Sequence, residues 1–362
     1  MNQARTFVMA GGGTGGHVIP ALAVARELRD RGHVVRFIGT RRGLESKLVP
    51  AENFPIDWVE IGGLKRVGLR RTLATLAELP SSVWQAARML ERAHPAAVFS
   101  TGGYVAGPVL LAALWKRVPV VVMEPNAVPG FTHRRLARFV ARALVSFPEA
   151  ARFFPAERAE ITGLPVREEF FSVPPKCRGQ KLTVLITGGS QGSRTLNRAG
   201  EESWPLWDKA AIKLIHQTGA AAYDEIAPRF QASGIEGQIT PFLAEMPRAF
   251  AEADLVVSRA GMGAVSELAA AGKPSILVPF PMASDQHQLR NADALAAAGA
   301  ARLVLDHEMN GRRLVDEVTR LASEPGLLEK MGQAARAFAR PGAARRAAQV
   351  LETFRSNRVD IQ

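Results

Sequence analysis

The residues best suited to chemistry in this chain stand beside glycines. His17 closes the run Gly11-Gly12-Gly13-Thr14-Gly15-Gly16-His17. An imidazole titrates near neutrality, so His17 can act as a general base on a hydroxyl, or donate to a pyrophosphate. The bland alternative is an ordinary loop histidine. A second glycine turn, Gly188-Gly189-Ser190-Gln191-Gly192-Ser193, offers the Ser190 hydroxyl and a row of backbone N–H groups to a phosphate. Arg167 adds a fixed positive charge, unless it is a solvated linker arginine. Glu267 follows the turn Ser258-Arg259-Ala260-Gly261, one turn into a helical stretch. A carboxylate there can accept both hydroxyls of a ribose, or simply offset a helix dipole. No Asp-x-Asp occurs in the chain, so the metal clamp often used on diphosphates is missing. Backbone amides and helix N-termini are the alternative, and neither a cofactor nor a tightly bound metal is expected.

Such residues need strands and helices to aim them. Phe7-Val8-Met9-Ala10 is an apolar run ending in glycines, and the helix that follows is expected to open at Pro20. Further apolar strands are expected at Val34–Gly39, Ala96–Ser100, Val118–Met123 and Leu144–Phe147, separated by helical stretches. The pattern breaks at 164–180, which reads as a linker. Then the opening unit recurs as Leu182–Thr187, the second glycine turn and a helix from Arg194. Strands follow at 214–216, 255–258, 275–278 and 301–305. The fold class is therefore α/β, with two Rossmann-like domains whose parallel sheets face each other across a cleft. The expected boundaries are 1–163, 164–341 and an Arg-rich final stretch, 342–362, that returns to the first domain.

The chain has 362 residues and 47% hydrophobic content, enough for two cores. One cysteine, Cys177, excludes a disulfide framework and fits a reducing compartment. The first five residues are too short and polar for a signal peptide, and no apolar run is long enough to span a bilayer. Net charge is +12, concentrated in the first half: residues 1–163 hold 22 Lys+Arg against 12 Asp+Glu, residues 164–362 hold 24 against 22. The first half should therefore meet something anionic.

The set of motifs resembles the MurG family of peptidoglycan N-acetylglucosaminyltransferases. The carriers are Gly12–His17, Thr101-Gly102-Gly103-Tyr104-Val105-Ala106-Gly107-Pro108, Thr187–Ser193, Ser258–Gly261 with Ser266-Glu267, and Asp285-Gln286-His287-Gln288 with Asn291, in the family's order over most of the chain. Glu124-Pro125-Asn126 stands where the family usually has Glu-Gln-Asn. The resemblance implies a GT-B fold and inverting transfer of GlcNAc from UDP-GlcNAc to the 4-hydroxyl of MurNAc in undecaprenyl-pyrophosphoryl-MurNAc-pentapeptide. It implies that Leu243 and Met262, Gly263, Ala264 and Val265 line the uracil and ribose pocket, that Gln288 and Asn291 meet the GlcNAc hydroxyls, and that Asn126 meets the acetamido group. It places Thr14, Gly15 and Gly16 at the cleft, and Gly103 and Tyr104 at the acceptor. Partners would be the donor, the lipid-linked acceptor, an anionic membrane surface and other cell-wall synthesis proteins, at the cytoplasmic face of the inner membrane.

Lys65, Arg66, Arg70 and Arg71 precede apolar residues at helical spacing that include Leu76 and Trp84. This is either an ordinary core-facing helix or a membrane face, extended by Trp115-Lys116-Arg117. Competing readings are another GT-B enzyme, such as a UDP-GlcNAc 2-epimerase or a transferase with a soluble acceptor, and a basic nucleic-acid binder. The last lacks exposed aromatics interleaved with basic residues, since the chain has two tyrosines and no such run. A dehydrogenase is disfavoured because no GxGxxG with a following acidic residue occurs.

Overall fold

A computed structural model describes residues 4–61, 69–176, 179–283 and 286–355, with the backbone alone described over 69–77. The chain divides into two compact units. One comprises residues up to Pro165 together with the stretch from Gly342, and the other runs Val166–Pro341.

In unit 1 seven parallel strands are formed by Thr6–Gly11 (β1), Val34–Gly39 (β2), Ile56–Trp58 (β3), Ala97–Gly102 (β4), Val120–Glu124 (β5), Arg142–Val145 (β6) and Ala159–Ile161 (β7). Their order is β3-β2-β1-β4-β5-β6-β7. Every residue of β4 and β5 is buried, as a sheet covered on both faces requires. The order reverses direction between β1 and β4, and open α/β sheets bind ligands at the carboxyl ends of strands at such a switch point. The β1–β4 register slips between Ala10 and Gly11, so that Gly11 pairs with Gly102 at the sheet's carboxyl edge.

Unit 2 has six parallel strands: Leu182–Thr187 (β8), Ile212–Gln217 (β9), Gly237–Thr240 (β10), Leu255–Ser258 (β11), Ser275–Leu277 (β12) and Ala301–Leu303 (β13), in the order β10-β9-β8-β11-β12-β13. Its switch point lies between β8 and β11. The core gathers Val184, Ile186, Leu214, Leu255, Val257 and Ile276 from four strands, with Leu314 and Val318 from the helix Gly311–Ser323.

Two local expectations are corrected. The first helix runs Gly15–Asp30, so Pro20 lies inside it and not in its first turn. Proline has no N–H, and the carbonyl of Gly16 therefore lacks its usual donor four residues on. The segment expected as a linker contains the short helix Glu168–Phe171, whose Phe170 is buried against Phe250 with ring centroids 5.2 Å apart. A buried aromatic pair, not chain composition, orders it.

The stretch from Gly342 forms the helix Ala343–Leu351, which packs on Gly15–Asp30. Arg31 and His33 bind the Glu352 carboxylate at 3.2 and 3.0 Å, and Arg346 pairs with Glu160 at 2.6 Å. No helix among the described residues is long and apolar enough to cross a membrane.

Candidate functional site

All four glycine turns singled out in the sequence leave the strands that flank the two switch points. In unit 1 they follow β1 and β4. A Cβ on Gly103, at φ +87, would stand 2.2 Å from the Gly12 carbonyl oxygen, so only glycine allows the two loops to meet backbone to backbone. The fully buried Glu45 holds the first loop from beneath. Its carboxylate accepts the Gly13 N–H at 2.8 Å, and the Thr40 N–H and hydroxyl at 3.0 and 2.8 Å. The Tyr104 hydroxyl lies 2.9 Å from the Thr40 oxygen. Thr40 spends its proton on Glu45, so Tyr104 is the donor in that pair.

His17 falls in the first turn of the helix Gly15–Asp30 and is half-buried. Its Nδ1 lies 2.8 Å from the Thr101 carbonyl oxygen, while the Thr101 hydroxyl donates back to the His17 carbonyl at 2.7 Å. A carbonyl can only accept, so Nδ1 carries a proton, and in the neutral imidazole Nε2 then holds the lone pair. That is the tautomer a base acting through Nε2 needs. Thr14, which caps this helix without a side-chain bond, and Gly16 are exposed, and Gly15 is half-buried.

Asn126 follows β5 in a network that sequence reasoning missed. Glu124 accepts the backbone N–H and side-chain amide of Asn126 at 3.0 and 3.1 Å, the Gly130 N–H at 3.1 Å and His133 Nδ1 at 2.9 Å. Burial pushes the Glu124 carboxyl up, but the hydrogen bond and charge of His133, with the two backbone N–H groups, outweigh it and hold the pKa below the usual range. His133 Nε2 reaches Ser100 at 3.4 Å, and the Ser100 hydroxyl accepts the Gly102 N–H at 3.1 Å. His17 and His133 thus flank Gly102, whose Cβ would lie 3.3 Å from one ring and 3.5 Å from the other. Pro125 is accommodated because the turn is closed by the Asn126 N–H and not by its own.

In unit 2 the β8 loop leads into the helix Arg194–Ser203, capped by Ser193, whose hydroxyl accepts the Leu196 N–H at 3.3 Å. A Cβ on Gly192, at φ +73, would meet the Thr218 carbonyl oxygen at 1.8 Å. Gly189, Ser190 and Gln191 are exposed above this contact. After β11 the helix is Met262–Ala271, so Glu267 lies in its second turn. Burial raises the Glu267 pKa to about 7, partly offset by the Arg167 charge. Arg167 caps the helix Glu168–Phe171 and lies over the Phe170 ring at 5.0 Å, within unit 2 and ordered.

Some expected contacts are differently employed. Asn291 is fully buried and its amide donates to the Ala260 carbonyl at 3.3 Å, so it shapes the turn after β11 instead of facing solvent. Gln288 Oε1 accepts the Phe280 N–H at 2.9 Å. The Leu243 N–H donates to Gln217 at 2.9 Å. The Met262 and Val265 side chains are buried, whereas Gly263 is exposed and Ala264 and Ser266 are half-buried. Arg259 binds the Val278 carbonyl at 3.1 Å and pairs with Asp306, tying the turn to the β12 exit.

Of the basic and apolar residues read as a membrane face, Lys65 and Arg66 lie outside the described residues. Arg70, Arg71 and Leu76 belong to the helix Leu69–Ala93, where only the backbone is described. Further along it Leu79 and Val83 pack on the core, which the ordinary-helix reading requires, while Trp84 is 54% exposed and lies against Arg88 at 5.0 Å. Trp115 is 60% exposed with the Lys116 ammonium 4.6 Å from its ring. Two further pairs, Phe131 with Arg135 and Phe139 with Arg138, escaped the sequence reading. Parallel crossovers are right-handed, so the helices entering β4, β5 and β6 share one face of the sheet, and Trp84, Trp115 and Phe131 belong to it. Among the described residues no three His, Cys, Asp or Glu side chains cluster as metal ligands would.

Comparison with known proteins agrees with this geometry. Residues 7–145 match the glycosyltransferase family 28 N-terminal domain and residues 183–347 its C-terminal domain. The chain is 61% identical over 351 residues to the UDP-N-acetylglucosamine--N-acetylmuramyl-(pentapeptide) pyrophosphoryl-undecaprenol N-acetylglucosamine transferase of Solibacter usitatus, covering 96% of each. An Anaeromyxobacter protein of the same name is 41% identical, over 95% of this chain and 92% of its own. The crystal structure of Acinetobacter baumannii MurG superposes with a TM-score of 0.83 at 31% identity, over 97% of this chain and all of the other. The chain belongs to the MurG family. Membership in the MurG family accounts for a glycine turn at each strand of both switch points, and fixes the fold as GT-B.

Proposed function

We propose that the protein transfers GlcNAc from UDP-GlcNAc to the 4-hydroxyl of MurNAc in undecaprenyl-pyrophosphoryl-MurNAc-pentapeptide, giving the β-1,4-linked lipid-borne disaccharide used in peptidoglycan synthesis. The identity of 61% across 96% of the chain to a relative named for this activity carries the reading.

Unit 2 takes the donor. The N–H groups of the β8 loop and the Ser190 hydroxyl receive the diphosphate, and Arg167 supplies positive charge. Glu267 accepts the ribose hydroxyls, and Leu243 and the first turn of Met262–Ala271 line the base and ribose. Unit 1 takes the acceptor through Gly103 and Tyr104, and Asn126 meets the donor's acetamido group. His17 Nε2 removes the proton of the 4-hydroxyl as that oxygen bonds to the anomeric carbon. The bond from that carbon to the phosphate oxygen breaks on the opposite face, and its electron pair leaves with UDP. Attack opposite the leaving group inverts the centre.

The acceptor's tail lies in a bilayer, so unit 1 docks on the cytoplasmic leaflet through Trp84, Trp115 and their basic neighbours. A cation beside an exposed ring suits the headgroup layer, where an amphipathic side chain meets anionic charge. The test is incubation with UDP-GlcNAc and a short-chain lipid-pyrophosphate-MurNAc acceptor. Acceptor-dependent UDP release with disaccharide formation is expected. UDP release that ignores the acceptor, or epimerised donor, refutes the reading.

A further inference from the structure

Glu45 opens the helix Glu45–Ala51 and none of its surface is exposed. Its carboxyl group fits beneath the first loop because the neighbours are glycines. A Cβ on Gly12 would stand 2.7 Å from its Oε1, and one on Gly43 would overlap the carboxyl group. The hydrogen bonds that meet there run in one direction. The N–H groups of Gly13 and Thr40 can only donate, and the Thr40 hydroxyl donates to Glu45 Oε1 at 2.8 Å. The Thr40 oxygen is then left to accept, and the Tyr104 hydroxyl, 2.9 Å away, donates to it. The Tyr104 ring is held too, since a Cβ on Gly13 would stand 2.7 Å from its Cε1. Tyr104 is half-buried, and its one hydroxyl hydrogen is already given to the protein. What its oxygen offers a ligand is a lone pair.

We propose that Tyr104 meets the acceptor sugar as a hydrogen-bond acceptor, and that Thr40 and Glu45 are positioning residues that fix this polarity. The proposal rests on the acceptor reading above, in which Gly103 and Tyr104 take the acceptor. A phosphate oxygen brings only lone pairs, so against the Tyr104 oxygen it makes an unfavourable contact. Tyr104 therefore takes a neutral O–H or N–H, and the pyrophosphate is received by other groups. The reacting 4-hydroxyl gives its proton to His17, and position 3 of MurNAc is an ether. The sugar is left with two groups of this chemistry, the C6 hydroxyl and the acetamido N–H. A sugar lacking the right one leaves the Tyr104 oxygen unpaired and is used more slowly. Tyr104 thus reads the sugar and not its phosphate, and the buried chain from Tyr104 through Thr40 to Glu45 decides which.

The test crosses variants of the full chain with acceptor analogues. Tyr104→Phe keeps the ring and removes the hydroxyl. With the short-chain lipid-pyrophosphate-MurNAc acceptor it should lower kcat/KM roughly tenfold, as the loss of one hydrogen bond does. Two analogues carry either a 6-deoxy sugar or an acetyl ester in place of the acetamido group. With one of them the wild type should be slower by a similar factor, and Tyr104→Phe should cost nothing more. A short-chain lipid pyrophosphate without the sugar should compete with the acceptor equally well in both proteins. Thr40→Val keeps the side-chain shape and removes the hydroxyl that takes the Tyr104 proton. It should cost roughly threefold alone and nothing further on Tyr104→Phe, with Thr40→Ser restoring the rate. Thermal melts establish that each variant is folded. The inference is overturned by an unchanged rate in Tyr104→Phe, by a penalty that persists with both analogues, or by weaker inhibition of that variant by the sugarless lipid. A Thr40→Val loss that adds in full to that of Tyr104→Phe overturns the part given to Thr40 and Glu45. Failure of the wild type to use the unmodified acceptor overturns the acceptor reading itself.

Discussion

Donor affinity should follow the ionisation of Glu267. Burial pushes the Glu267 carboxyl from 4.5 up to about 7, and the Arg167 charge only partly offsets this. Ribose hydroxyls donate to a carboxylate, so the donor binds the ionised form and drives the proton off. If the donor-bound carboxyl titrates well below 6, the apparent affinity tracks the ionised fraction of the free protein. That fraction is roughly one part in eleven at pH 6 and ten in eleven at pH 8, so the Kd for UDP-GlcNAc should fall about tenfold between them, about 1.4 kcal/mol. UDP-GlcNAc is the right probe because its diphosphate, esterified at both ends, has no proton to lose in this range. Calorimetry at pH 6, 7 and 8 measures the effect, and at pH 7 binding should release close to half a proton. Glu267→Gln should flatten the profile and bind more weakly at pH 8. Arg167→Ala should move the midpoint upward, because the charge that lowers the pKa is gone. The unliganded fold responds in the opposite sense. A carboxyl with a raised folded pKa stabilises fully below about 4.5 and loses that contribution as pH rises through 7, by about 3 kcal/mol. A Kd that is flat from pH 6 to 8, or that improves at low pH in the wild type, refutes the ribose assignment.

His17→Ala should lower turnover by roughly 10²–10⁴-fold while UDP affinity is unchanged; near-normal turnover across pH makes His17 structural, and a loss confined to acceptor affinity makes it a pyrophosphate ligand. Glu124→Ala should lower unfolding free energy by about 3–5 kcal/mol in denaturant titration, because it leaves the buried His133 without its partner. Since the Glu124 pKa is lowered, the wild-type contribution is present above the usual carboxylate range and lost as pH falls, so the gap between wild type and variant should narrow in acid. Changing Lys65, Arg66, Arg70 and Arg71 together to serine should weaken co-sedimentation with anionic vesicles, each charge being worth about 1 kcal/mol near the surface, and the wild-type binding should fall as salt rises. Trp84→Ser with Trp115→Ser should weaken the remainder, and equal binding of all three proteins removes this face from the membrane.

The parts legible in the sequence were those with strong local signals. Central strands such as Leu182–Thr187 are continuous apolar runs, and the glycine turns that end them require a backbone no other residue supplies. Strands β3, β7 and β10 were missed. Each lies at a sheet edge, half-buried or exposed, and spells Ile-Asp-Trp, Ala-Glu-Ile or Gly-Gln-Ile-Thr without an apolar run. The helix start was misplaced because Pro20 is a strong signal for a first turn, whereas the earlier opening at Gly15 is held by the paired bonds between His17 and Thr101 of β4. Glu45, His133 and Gln217 escaped because each also bonds a residue distant in the chain, Gly13, Ser100 and Leu243 respectively. Burial is also a long-range property: nothing in the sequence near Asn291 signals that its side chain is fully buried with its amide on the Ala260 carbonyl. Glu267 was legible as a carboxylate after a glycine turn, but its pKa depends on how deeply the fold sets it.

The tie between Glu352 and His33 has a consequence for how the protein is made. Unit 1 is assembled from segments on either side of unit 2, while unit 2 is continuous in the chain. On the ribosome the first sheet is synthesised early but waits for its last helix until unit 2 has been translated, which at 5–20 residues per second takes roughly 10–35 s. During that interval the helix Gly15–Asp30, which carries His17 at its start, has one face uncovered. Nascent chains stopped short of Gly342 should therefore hold a protease-sensitive first unit beside a protected second one, and completion of the last helix is the event that makes the support of the His17 loop permanent.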